Sequence, residues 1–263
     1  MTGRVLVLVY GVAGYVLFLV TFLYAVGFIG DFLTPTRLDG PREGDLAGAV
    51  ATNLALLALF AVQHSGMARP AFKRWLTRFI PPAAERATYV VLSSAALLLL
   101  FALWRPLGGV VWEVTGVARA AVYVVFATGW VVVLVTTFLI DHFDLFGLRQ
   151  VILYARGRPY PAARFVTPGP YRVVRHPLYV GWLMVFWAAP TMTAAHLLFA
   201  AVTTAYILVA IRWEERDLCT ALPEYEAYRR RVPMLIPRFG RRREKADAAP
   251  GRLPQPQEVS PCD

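Results

Sequence analysis

The stretch LYVGWLMVFWAAPTMTAAHLLFAAVTTAYILVAI, Leu178–Ile211, decides the fold. It carries no Asp, Glu, Lys or Arg and is too long for one membrane helix, which needs about 20 apolar residues to cross a core of about 30 Å. The run breaks near Pro190 to Thr193, because proline has no backbone donor to continue a helix. Two apolar arms joined by so short a break predict a helical hairpin that keeps its backbone hydrogen bonds inside the membrane.

Four further apolar runs precede it: Val5–Ile29, about Leu46–Val62, about Ala87–Trp104 and about Ala118–Ile140. The first is too long for the h-region of a cleavable signal, about 7–15 residues, and reads as a span. With 57% hydrophobic residues and a mean hydropathy of +0.51, the 263-residue chain is expected to be an all-α, polytopic integral membrane bundle. Six crossings are expected, the last two being the hairpin.

The net charge of +10 does not point to nucleic acid, because the basic residues flank apolar runs and suit lipid headgroups and membrane orientation. Arg69, Lys73, Arg74, Arg78 and Arg86 fall between runs two and three, and Arg149, Arg156, Arg158, Arg164, Arg172 and Arg175 between runs four and five. The segment from Arg212 to Lys245 is again basic, whereas the alternate loops are poor in cations. This alternation places both termini in the cytoplasm of a bacterial inner membrane. Residues 1–238 read as one transmembrane domain, with residues 239–263 a disordered basic and Pro-rich tail. Cys219 and Cys262 have no metal-ligand spacing and read as incidental thiols.

Polar clusters stand at the ends of the runs on the basic side. The first is Gln63-His64-Ser65; the second is Asp141-His142-Phe143-Asp144 with Arg149-Gln150; the fourth is Glu214-Glu215-Arg216-Asp217. The third, PGPYRVVRHPLYVG at Pro168–Gly181, gathers Tyr171, Arg172, Arg175, His176 and Tyr179 at a predicted helix start. Free N–H groups there would favour an anionic or zwitterionic ligand. Each cluster also has a structural reading: an interfacial histidine, a helix C-terminal cap, a basic juxtamembrane loop, or carboxylates paired with Arg212 and Arg216. Taken together, the clusters predict one pocket on the cytoplasmic side. No His pair has i,i+3 or i,i+4 spacing, so no metal site is expected, and His196, near the opposite face, is expected to be structural. No Walker loop or G-x-G-x-x-G after a strand is present.

The order Tyr171, Arg175-His176-Pro177, Tyr179, Gly181, Glu214, then Tyr225, Tyr228, Pro233 and Pro237 resembles the isoprenylcysteine carboxyl methyltransferase and phospholipid methyltransferase superfamily. QHSGMARPAFKRW, ERATYV, FLIDHFDLFGLRQV and HPLYVGWLMVFWAAPTMT are similar to one branch, the bacterial methanethiol S-methyltransferases, over most of residues 1–238. The resemblance implies S-adenosylmethionine-dependent methylation of a thiol to a sulfide. It implies cofactor contacts at Tyr171, His176, Pro177, Leu178, Tyr179 and Glu214, and at Gln150 if the intervening insertion is allowed for; residues 141–238 form the cofactor half. Arg175 and the helix start suit the cofactor carboxylate, and Glu214 a cationic group.

The thiolate is the effective nucleophile, so a base is needed. His142, oriented by Asp141 or Asp144, is the first candidate, and His64 the second. The expected partners are a small-molecule thiol and membrane lipid, with no nucleic acid and no obligate protein partner. A methyltransferase with a prenylcysteine or lipid acceptor, a non-enzymatic NnrU-like membrane protein and a sterol-reductase-type oxidoreductase remain open alternatives.

Overall fold

The computed structural model describes residues 2–42, 44–161 and 165–238; Arg164 and the predicted tail lie outside them. The chain is a helical bundle. Its elements are α1 (Thr2–Gly30), α2 (Leu46–Ala68), α3 (Pro70–Leu76), α4 (Glu85–Leu103), β1 (Val110–Glu113), α5 (Gly116–Ile140), α6 (His142–Leu145), α7 (Leu148–Ala155), α8 (Pro177–Trp187), β2 (Thr191–Thr193), α9 (Ala194–Ala221) and α10 (Glu224–Arg231).

Five helices have the length and apolarity of membrane spans: α1, α2, α4 with its leading turn, α5 and α9. In the most apolar stretch of α1 only 17% of residues are buried by protein, so the remainder require hydrocarbon around them. This is an integral membrane protein. The first arm of the expected hairpin is shorter than a span: α8 has 11 residues, about 16 Å of helix. Pro177 sets its first turn, and the backbone leaves helical geometry at Ala188, two residues before Pro190.

The hairpin tip is held at one end of the bundle by a short antiparallel ribbon, in which Val110 pairs with Thr193 and Glu113 with Thr191. Trp112 Nε1–H also donates to Ala189 O (3.1 Å). The same end holds the α1–α2 loop, where Trp104 Nε1–H donates to Leu38 O (3.1 Å). Asn53, fully buried, donates to Arg105 O and accepts from Arg105 N (2.8 and 2.9 Å), tying α2 to the end of α4. His196 bridges Asp39 and Phe186 O (3.0 Å each) and is buried there, with Thr193 also bonded to Asp39.

Between the ends, Phe28, Leu100, Phe101, Trp104, Phe186 and Phe199 fill the core. The crossing of α5 and α8 is set by Gly129 and Gly181: a Cβ on either would stand 2.9 Å from the carbonyl oxygen of the other. Only glycine lets the two backbones approach this closely, and that approach fixes where the α8 N-terminus lies. The opposite end of the bundle, where α2, α5, α8 and α9 present their polar clusters, is the site end.

Candidate active site

At the α8 N-terminus, His176 is the N-cap and Pro177 the first helical residue, both buried, with Leu178 and Tyr179 on the same turn. His176 Nε2 and Arg175 Nε–H both donate to Glu215 Oε1, at 2.9 and 2.6 Å, and the Tyr225 hydroxyl reaches the same oxygen at 3.4 Å. Arg175 Nη1–H also donates to Arg229 O and Val232 O (2.9 and 2.6 Å), and so caps α10. Arg175 N and His176 N donate to Pro233 O and Met234 O. Arg175 Nε and Nη1 therefore fasten the C-terminal segment to α8, where the sequence expectation set this arginine on a ligand carboxylate. Glu215, which the sequence places in the fourth cluster without a ligand role, is 7% exposed and forms the centre of this knot.

Its neighbour Glu214 is the more open carboxylate. Its side chain is 45% exposed, accepts from the Tyr179 hydroxyl (3.0 Å) and lies 4.0 Å from His176 Nδ1. Glu214 is within electrostatic reach of Tyr89, Tyr171, Tyr179 and Tyr206, so these four tyrosines share one neighbourhood. Burial, with Glu214 added, raises the Tyr171 phenol above its usual range, and the Tyr228 hydroxyl donates to Tyr171 O.

The first cluster joins this neighbourhood from α2. Tyr89 Oη lies 2.8 Å from His64 Nε2, and Ser93 Oγ 3.3 Å from its Nδ1. Ser65 bonds Tyr206 (2.9 Å), and Arg69 pairs with Asp217 (2.9 Å). Arg86 links the second cluster: its Nε–H donates to Leu145 O (2.9 Å) while its guanidinium lies 5.3 Å from the centre of the Tyr89 ring. The close packing of Gly147 on α4 makes this link possible. Gly147 has φ of +85°, and a Cβ there would stand 2.8 Å from Ala87 N. The four clusters thus gather at one end, as the sequence predicts. Arg86, Tyr89 and Tyr206 are further members; their only sequence signal is the run ERATYV and a polar ring within an apolar helix.

His142 is arranged differently from the expectation. Thr137 Oγ1 gives its proton to Leu134 O (2.7 Å), so His142 Nδ1–H donates to Thr137 (2.8 Å) and His142 Nε2 accepts from Tyr15 Oη (2.8 Å). Burial holds the imidazole below its ordinary pKa. Phe138 stacks on it at 4.1 Å and Phe146 packs at 4.8 Å, with Phe18 and Phe143 nearby. Neither Asp141 nor Asp144 orients it. Asp141 pairs with Arg149 and caps Asp144 N, and the Asp144 carboxylate accepts from Tyr160 (2.8 Å). Burial, reinforced by that hydrogen bond, pushes the Tyr160 phenol up to about 12.

A cleft of about 520 Å³ opens beside Arg86, between α3, the start of α4 and α7; Lys73, Glu85, Asp144, Gln150, Arg158 and Tyr160 are in its wall. Gln150 Nε2–H donates to Asp144 O (3.0 Å), while its Oε1 is buried without a donor. Gln63 Oε1, beside His64, is in the same condition. Buried acceptors without donors are uncommon in folded proteins and mark places where a ligand or water completes the bonding. Burial and the Arg86 charge pull the Lys73 ammonium below its usual range.

The phospholipid methyltransferase family pattern matches residues 117–221, from α5 to the end of α9. The methanethiol S-methyltransferase of Crocosphaera subtropica is 54% identical over 242 residues, covering 91% of this chain and 95% of that protein. Methanethiol S-methyltransferase 2 of Bradyrhizobium diazoefficiens is 49% identical over 98% of this chain and all of that protein. The enzyme of that name from Mycobacterium tuberculosis is 53% identical over 89% of this chain and 97% of its own length. No solved structure matches. About half of the aligned residues agree with these relatives over most of the chain, so the chain belongs to the methanethiol S-methyltransferase family of membrane methyltransferases.

Proposed function

We propose that the protein transfers a methyl group from S-adenosylmethionine to methanethiol, giving dimethyl sulfide, at the cytoplasmic face of a bacterial inner membrane. The observation that carries this reading is the near full-length similarity to three enzymes named for that acceptor. The site end fits such a donor chemically. Glu214 supplies a half-exposed carboxylate, Tyr171 and Tyr179 supply ring faces for a cation, and Gln150 Oε1 supplies an unmet acceptor. The adjoining cleft falls in the range of about 300–1,000 Å³ typical of small-molecule sites. Tyr171, Tyr179, Glu214 and Gln150 would hold the donor, with His176, Pro177 and Leu178 shaping the turn beneath it. When bound, S-adenosylmethionine supplies an electrophilic methyl on a sulfonium.

The protein's own tasks are to exclude water, align the acceptor and remove one proton. His64 with Tyr89 is placed for the last task. The Tyr89 hydroxyl donates its proton to His64 Nε2 as its oxygen receives the thiol proton; His64 then returns a proton to solvent. His142 remains an alternative base; like His64 it has both nitrogens bonded, and Phe18, Phe138, Phe143 and Phe146 wall it in. Methanethiol is apolar and small, so it can enter from the bilayer. The cations of the site end, Arg69, Lys73, Arg74, Arg78, Arg86 and Arg149, support the cytoplasmic orientation.

Headspace analysis of cells fed methanethiol tests the reaction. Expression of the protein should raise dimethyl sulfide well above control, and His64→Gln should lower turnover by about 100-fold with donor binding retained. Donor binding without dimethyl sulfide would move the acceptor to another thiol or a lipid. Full turnover by His64→Gln would remove that base.

A further inference from the structure

The carboxylate of a donor with an amino acid end is held more tightly beside a cation, and Arg175 Nε and Nη1 are already engaged by Glu215, Arg229 O and Val232 O. The cleft beside Arg86 offers a different set. Lys73, Glu85 and Arg86 line it, and none of the three makes an ion pair among the described residues. Arg86 is aimed by its Nε–H bond to Leu145 O. Gln150 is fixed in orientation because its Nε2–H donates to Asp144 O, so the buried Oε1 is turned away from that carbonyl.

We propose that this cleft is the recognition site for the zwitterionic α-amino acid end of the methyl donor, with Lys73 and Arg86 on the carboxylate and Gln150 Oε1 and Glu85 on the ammonium. The inference rests on the donor being S-adenosylmethionine. Three cations, Lys73, Arg86 and Arg158, two carboxylates, Glu85 and Asp144, and one unmet amide acceptor together suit a group that carries one charge of each sign. They suit a phosphate headgroup poorly, because Glu85 and Asp144 would face its oxygens. The position also suits the chemistry: Arg86 lies against the Tyr89 ring, and Tyr89 feels the charge of Glu214. A donor anchored in the cleft would therefore extend past Tyr89 toward the Glu214 carboxylate.

The test is calorimetric binding to the full chain in detergent, with S-adenosylmethionine and its decarboxylated analogue, which keeps the sulfonium and the amine. The wild type should prefer S-adenosylmethionine. Lys73→Met and Arg86→Met should each weaken it by about 10- to 100-fold, the scale of a lost hydrogen bond to a charged group. Both variants should bind the decarboxylated analogue within about threefold of wild type, a pattern that unfolding would not produce. Lys73 lies on the short peripheral α3, so its variant remains informative if Arg86→Met fails to fold. Wild type that binds S-adenosylmethionine, with both variants binding it equally well or losing both ligands alike, overturns the subsite and leaves the proposed reaction standing. Wild type that binds no S-adenosylmethionine overturns the proposed donor and the subsite with it.

Discussion

Replacing Glu215 by glutamine should unfasten the C-terminal helix. Glu215 Oε1 accepts from Arg175, His176 and Tyr225 at 2.6, 2.9 and 3.4 Å, and the side chains of Arg175 and Glu215 are only 11% and 10% exposed. Solvent therefore screens little of the interaction. Glutamine keeps the shape but removes the charge and turns an amide toward a guanidinium left in a buried site. Removing one partner of a buried pair costs about 3–5 kcal/mol. At about 2–4 °C per kcal/mol for a chain of this size, the melting temperature should fall by about 6–20 °C. Because Arg175 also holds Arg229 O and Val232 O, the loss should appear first in α10. Limited trypsin digestion in detergent should cleave at Arg229, Arg230 or Arg231 well before wild type is cut. Glu226→Gln is the control: Glu226 accepts from Cys219 (3.5 Å) and pairs with Arg229 and Arg230 (3.4 and 3.1 Å), whose side chains are 29% and 71% exposed, and solvent-exposed pairs are worth about 0–1 kcal/mol each. If Glu215→Gln melts and is cleaved no differently from Glu226→Gln, the knot does not hold α10 in place.

Gly181→Ala should lower stability by about 1–3 kcal/mol, because its new Cβ would meet Gly129 O and Val133 N, both backbone atoms, at 2.9 Å. A wild-type melting temperature for that variant would contradict the close α5–α8 crossing. His142 predicts a pH effect. Its folded pKa is lowered by burial, so the unfolded chain takes up the proton first, near pH 6.5, and native stability falls as pH drops below that value. His142→Gln should flatten the melting-temperature curve between pH 7 and 5; an unchanged slope would mean that the imidazole is not held neutral.

Much of the fold is legible because each membrane helix states its own burial. A run such as Ala118–Ile140 has one physical solution in hydrocarbon, and α5 spans Gly116–Ile140. The ends are less legible. By hydropathy the second run closes at Val62, but α2 continues to Ala68, because Gln63, His64 and Ser65 find partners on Tyr89, Ser93 and Tyr206 and need not face lipid. In Leu178–Ile211, Pro177 and Pro190 already bound the first arm to little more than three helical turns, and α8 has 11 residues; what is not legible is how so short an arm is held. It is held by Gly129, by the ribbon between Val110–Glu113 and Thr191–Thr193, and by the C-terminal segment pinning Arg175. All three are contacts between distant parts of the chain.

The same limit explains the site. Motif spacing brings His176, Tyr179 and the Glu214-Glu215 pair into one neighbourhood, but it cannot divide the work between adjacent glutamates. Successive residues on an α-helix point about 100° apart, so one of the two must face inward and the other toward the opening. Glu215, 7% exposed, takes the inward position and with it Arg175; Glu214 keeps Tyr179 and an open side. That rotation commits Nε and Nη1 of the arginine that the motif makes most conspicuous to the C-terminal segment. A further source of positive charge would strengthen the hold on any carboxylate bound at this end. Arg86, on a different helix and outside the motif, is the cation that lies against both the Tyr89 ring and the cleft.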